Sequence, residues 1–211
     1  MHYVIYHPKR QVSNVGQLKI YHDKFGGNED PYIWNKKFLH SFCHITQISP
    51  IVGSHIFWVS GDSYPDFTAL FCDCVFVVKE KIIWNNANSI NFSDEIVDSQ
   101  QAFSHHYSWV NPPFKQHYFK SKKRHTLKGD EDKSFQPQDK NFNLIDICPY
   151  LISTGYTLNH LRDRISKTSN GEKARNSRPL KIDGNTARLI YQELSKSSVL
   201  IRGNMLMGLH P

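Results

Sequence analysis

Cysteine is scarce in this chain: four residues in 211, at Cys43, Cys72, Cys74 and Cys148. They are too few and too scattered to staple a small secreted scaffold, which excludes the disulfide-rich class. Long apolar runs are missing as well. No segment approaches the roughly 20 apolar residues of a membrane helix. The opening MHYVIYHPKR has no signal-peptide pattern. A cytoplasmic protein with no membrane partner is therefore expected. Gly26-Gly27-Asn28 is followed by no Lys-Ser/Thr pair, so it is not the phosphate-cradling loop of nucleotide hydrolases. No cofactor motif is found, and no internal repeat or low-complexity tract is present.

What the chain does have is aromatic residues, at 13%, within an apolar share of 39%. That is more than a disordered chain carries, and 211 residues suffice to bury a substantial core. Charge is unevenly placed. Residues 1–100 hold 8 Lys/Arg against 10 Asp/Glu, whereas residues 101–211 hold 18 against 9. A basic rear half points to a polyanionic partner, of which nucleic acid, DNA or RNA, is the commonest. An acidic protein partner is the other reading of the same surface.

The densest feature is Phe103–Lys128. It interleaves four histidines (His105, His106, His117, His125) with six aromatics, and cations crowd its second half. Tyr107, Trp109, Phe114 and Tyr118 are candidates for stacking on bases, at ~1–3 kcal/mol each. Lys115, Lys120, Lys122, Lys123 and Arg124, with Lys173, Arg175 and Arg178 from a second basic loop, are candidates for the sugar-phosphate backbone. The expected function is nucleic-acid binding, with a modified or flipped base in an aromatic and histidine-lined pocket.

The alternative is an enzyme acting on phosphodiesters or nucleotides. Two imidazoles near neutral pKa can share acid and base roles, so His105, His106 and His117 are its candidates. A carboxylate metal site is a second route for a nuclease, with Asp62, Asp66, Asp73 and Glu80 as parts. Asp73 is the acid to examine first, because an unpaired carboxylate inside an apolar strand is expensive. Cys72 and Cys74, placed by strand alternation on one face, could join Cys43-His44 around zinc. Within LFCDCVFVV they read better as small core residues, and no metal is expected.

The pattern predicts an α+β fold with an antiparallel-rich sheet or small curled barrel first, then two or three helices and basic loops. Strands are expected at His2–Tyr6 and Gln17–Tyr21, paired with each other. More are expected at Phe42–Ile48, His55–Ser60 and Ala69–Val78, the last turning at Lys79-Glu80-Lys81 into Ile82–Trp84. Helices are expected over Asp94–Phe103, Thr157–Ile165 with Thr157 as cap, and Asn185–Ser197, with a closing strand at Val199–Arg202. Arg162 is placed towards the outer face of its helix. Residues 1–211 read as one domain. A subdivision would separate a sheet-rich 1–127 from a basic helical 144–211, with 128–143 as a polar surface loop.

Overall fold

The computed structural model describes residues 1–6, 10–22, 41–42, 48–63, 66–83, 125–166 and 179–206. Their fold is mixed α+β. A seven-stranded sheet forms from β1 (His2–Tyr6), β4 (Ser41–Phe42), β5 (His55–Gly61), β6 (Leu70–Ile83), β7 (His125–Gly129), β9 (Ile145–Asp146) and β10 (Leu180–Ile182). Its path runs β10-β1-β5-β6-β7-β4, with β9 added on β6. Two ribbons accompany it: β2 (Gln11–Val15) with β3 (Leu18–His22), and β8 (Gln136–Gln138) with β11 (Val199–Ile201). Among the described residues the sheet path is open, with no pairing between β10 and β4 that would close it into a barrel. β1 runs parallel to β5, and the neighbouring pairs are antiparallel.

Both faces of the sheet are covered, which is why β5 and β6 read as nearly unbroken apolar runs. Val4, Phe57, Val59, Leu70, Cys72, Val75 and Val77 point to one face. There they meet the helices α1 (Cys148–Ser153), α2 (Leu158–Ser166) and α3 (Gly184–Leu194) through Leu151, Leu161, Ile165, Ala187, Ile190 and Leu194. Tyr3, Ile5, Ile56, Trp58, Cys74, Phe76 and Val78 point to the other, where Ile20 of the β2–β3 hairpin and Ile201 cover them. Full burial of each such side chain contributes ~1.5–3 kcal/mol. The two helices expected in the rear half are capped as well as amphipathic. Thr157 Oγ1 accepts from His160 N at 3.2 Å, and Asp183 Oδ1 accepts from Asn185 N and Thr186 N at 2.8 and 3.0 Å.

Several expectations change. The strand after Gly16 pairs with β2 and not with β1. Gly16, at φ 61°, has the positive angle needed at the first central residue of a two-residue type II′ hairpin turn. Lys79-Glu80-Lys81 is no turn: β6 continues to Ile83, absorbing Lys79 in an irregularity between Val78 and Glu80. Its charges are tolerated because Lys79 and Glu80 are exposed.

The segment 128–143 is not a surface loop throughout. Ser134–Gln138 is buried, Phe135 bridges Val75, and β8 pairs with β11. Its polar composition hides this, because the amides of Gln136 and Gln138 are spent on backbone groups of β3. The helix expected at Asp94–Phe103 lies outside the described residues, as do Cys43 to Gln47 of the expected Phe42–Ile48 strand.

Candidate functional site

Of the candidate histidine, aromatic and cationic site residues none is described, whereas the candidate acids Asp62, Asp66, Asp73 and Glu80 are. His105, His106, Tyr107, Trp109, Lys115, His117, Tyr118, Lys120, Lys122, Lys123 and Arg124 lie outside the described residues, and so do Lys173, Arg175 and Arg178. Their folded anchors are described. Arg124 precedes His125 at the start of β7, and Arg178 lies two residues before Leu180 at the start of β10. Four strand spacings separate β10 from β7, roughly 19 Å at about 4.8 Å each. The strand directions put the two starts at opposite ends of the sheet. The described residues hold 13 Lys/Arg against 12 Asp/Glu. The scaffold is thus nearly charge-balanced, and the surplus behind the net +7 belongs to the remaining segments.

Asp73 occupies a β-bulge. Trp58 pairs with Cys74 and Val59 with Cys72, which leaves Asp73 as the extra residue between them. The bulge shifts the phase of β6, so Cys72 and Cys74 belong to opposite faces of the sheet. This corrects the shared-face geometry on which a zinc site depended. Burial, followed by the nearby Asp73 charge, raises both thiols well above the ordinary range. Among the described residues no three His, Cys, Asp or Glu gather as a metal site would need. The carboxylates Asp62, Asp66, Asp73 and Glu80 are therefore not brought together.

The bulge instead aims Asp73 at Arg10. Arg10 Nε donates to Asp73 Oδ2 at 3.0 Å, and the two side chains are 5% and 2% exposed. The pair answers the cost of a carboxylate in an apolar strand. Bulges of this kind re-aim side chains and recur beside functional sites. Gln136 secures the same place from the other side: its Nε2 donates to Asp73 O and Tyr21 O, both at 2.8 Å, and its Oε1 accepts from Tyr21 N at 3.0 Å.

Arg10 forms one wall of a cleft of about 380 Å³ between the β2–β3 hairpin and the ends of β5 and β6. Tyr21 and Phe71 give it aromatic surface, with Ser60, Asp62 and Asn143 as polar groups. Tyr21 is well fixed. Its hydroxyl donates to Phe142 O at 3.2 Å, and the Lys19 ammonium lies 5.1 Å from its ring centre. Gly61 also lines the cleft, and a Cβ there would come within 2.8 Å of Ser63 O and 2.9 Å of Phe67 Cβ. Asp62 accepts from Thr68 Oγ1 at 2.6 Å and from the amides of Thr68 and Ala69 at 2.7 and 3.0 Å. These bonds, that of the Thr68 hydroxyl foremost, pull its pKa down to about 2. Arg162 steadies the same loop by donating to Phe67 O at 2.8 Å and Asp66 O at 3.2 Å, an inward use of a residue expected on the outer face of its helix. Sequence reading missed Arg10, Tyr21, Phe71 and Asn143, which meet only through the hairpin's packing.

A second titratable cluster joins β1 to β5. His55 N donates to His2 Nδ1 at 2.9 Å, the two rings stack at 5.1 Å, and His55 lies 4.7 Å from the Tyr191 ring. Burial and then the neighbouring His2 push His55 down to about 4. His2 is lowered by burial and the terminal ammonium, against the opposing charge of Asp183. This couple is built to stay neutral.

No protein-family model matches this chain, and neither a curated protein nor a solved structure is detectably similar to it. No helix among the described residues is long and apolar enough to cross a membrane.

Proposed function

We propose that this chain binds nucleic acid, DNA or RNA, through the cationic segments that end at Arg124 and Arg178. The observation that carries this reading is the partition of charge. The described scaffold is nearly balanced, yet the whole chain holds +7, and aromatics accompany the cations in Phe103–Lys128. Cations interleaved with aromatic rings suit a single strand, whose phosphates and bases need different partners. Tyr107, Trp109 and Tyr118 take the stacking role, while Lys115, Lys120, Lys122, Lys123, Arg124, Lys173, Arg175 and Arg178 take the phosphates.

The separation of the anchors adds a length requirement. The two starts also lie about eight β6 residues apart along the strands, because Leu180 aligns with Val75 and His125 with Ile83. A strand that engages both segments near their folded ends therefore crosses roughly 30 Å, about nine nucleotides at ~3.4 Å per step. The test is fluorescence anisotropy with labelled single-stranded DNA and RNA from about four to about twenty nucleotides, and an acidic peptide of matched charge. Affinity is expected to climb up to about nine nucleotides and to fall steeply with salt. Trp109→Ala is expected to cost ~1–3 kcal/mol of binding. Equal affinity for the acidic peptide would replace this reading with a protein-partner one, and absence of binding to either would remove the polyanion reading.

A further inference from the structure

We infer that the Arg10–Tyr21–Phe71 cleft is a receptor for a single nucleobase that carries an exocyclic amino group: adenine, cytosine or guanine, free or extruded from a strand. The inference takes its ligand class from the nucleic-acid reading, and the site itself is independent of the basic segments. A volume of about 380 Å³ lies at the small end of the roughly 300–1,000 Å³ of ligand pockets. It suits one nucleoside. The lining combines two aromatic side chains with a few convergent polar groups, the composition expected of a site that stacks a ring and reads its edge.

The platform is preorganised. Tyr21 is held at its amide and carbonyl by Gln136, at its hydroxyl by Phe142 O, and at its ring by Lys19. Little ordering remains for the ligand to bring about.

The electrostatics suit a base better than a phosphate. The Arg10 charge is matched at 3.0 Å by Asp73. Asp62, at about 2, is ionised at neutral pH. With the Lys19 ammonium at the Tyr21 ring set against Asp62, the described lining holds no surplus of positive charge for a phosphate, and the Asp62 carboxylate favours a ligand that presents hydrogen-bond donors. Asn143 supplies a matching acceptor. Its Nδ2 donates to Asp139 at 3.4 Å and its amide N donates to the same carboxylate at 2.9 Å, which leaves Oδ1 without a partner among the described residues. Adenine, cytosine and guanine each carry an amino group with two donor hydrogens, whereas uracil and thymine offer a single ring N3–H flanked by two carbonyls that face the Asn143 and Asp62 acceptors unfavourably.

The test is calorimetric titration of the full chain with adenosine, cytidine, guanosine, uridine and adenosine 5′-monophosphate. At least one amino-bearing nucleoside is expected to bind about 10-fold or more tighter than uridine, and the monophosphate no tighter than adenosine. Tyr21→Leu and Asn143→Leu should each weaken that binding about 10-fold. Asn143 is exposed, so its variant keeps the fold should Tyr21→Leu lose it. No saturable nucleoside binding, parity with uridine, tighter binding of the monophosphate, or full affinity in Asn143→Leu would each overturn the inference. The variant Lys122→Ala/Lys123→Ala/Arg124→Ala should bind nucleosides as the parent does. Oligonucleotide binding without nucleoside binding defeats the cleft alone, and nucleoside binding without oligonucleotide binding defeats the nucleic-acid reading alone.

Discussion

Removing Asp73 tests the anchoring role that the fold gives this acid. In Asp73→Ala the Arg10 guanidinium, 5% exposed, loses the carboxylate 3.0 Å away while the surrounding packing stays. Uncovering one member of a buried ion pair costs ~3–5 kcal/mol, a large part of a typical total of ~5–15 kcal/mol. For a chain of this size that lowers the melting temperature by roughly 6–20 °C. The companion variant Asp73→Ala/Arg10→Met removes both charges and leaves an apolar side chain against β6. It should recover most of the loss, because replacing a whole buried pair with packed hydrophobic residues is often neutral. Urea unfolding of the four chains in a double-mutant cycle reads the coupling directly. A loss below about 1 kcal/mol in Asp73→Ala, typical of an exposed pair, would refute the buried anchor. So would a double variant no more stable than the single one.

Three further outcomes follow from the same packing. His55, lowered to about 4, stays neutral in the fold while the unfolded chain protonates it near 6.5. Stability should therefore be full above pH 6.5, fall by up to about 3 kcal/mol as pH drops towards 4, and flatten below; urea midpoints across that range check it, with His55→Phe expected to flatten the slope. Gln136→Leu removes the bonds to Tyr21 and Asp73 O, and at ~1–3 kcal/mol for each buried group left unsatisfied it should cost at least about 2 kcal/mol. The Tyr21 amide should then exchange with solvent faster than those of β5. Cys72, Cys74 and Cys148 are buried, with thiols raised well above the ordinary range or, for Cys148, to about 12. None should react with a thiol reagent at neutral pH until urea unfolds the chain, and chelators should leave the melting temperature alone; rapid labelling of any of the three would contradict their burial.

The core strands were legible because their apolar density is a one-dimensional signal. HIFWVS and ALFCDCVFVV announce buried strands whatever their partners. Partnership was not legible, since the β1–β5 parallel pair joins residues more than fifty apart and β3 turns back on a strand of mixed polarity. The bulge was invisible for a related reason. Cys72 and Cys74 suit either face, so nothing in the pattern marks the phase change at Asp73. Lys79-Glu80-Lys81 looked like a turn because exposed strand residues and turn residues share a polar composition. Gln136 and Gln138 looked like loop because amides bonded to backbone read the same as amides bonded to water. Composition singled out the aromatic and cationic stretch, but the cleft draws Arg10, Tyr21, Phe71 and Asn143 from four separate segments, and no spacing links them.

Polyanion binding, as proposed, belongs to the cationic segments and not to the balanced scaffold. Its most direct test is the salt dependence of binding to a single-stranded oligonucleotide of about twenty nucleotides, for the parent chain and for Lys122→Ala/Lys123→Ala/Arg124→Ala. A steep negative slope of log K against log salt is expected, made shallower by up to about 2 in the variant at ~0.7 per phosphate contact. The melting temperature should stay unchanged. An identical slope and affinity in the two proteins, or no salt-dependent binding by the parent chain, would contradict it.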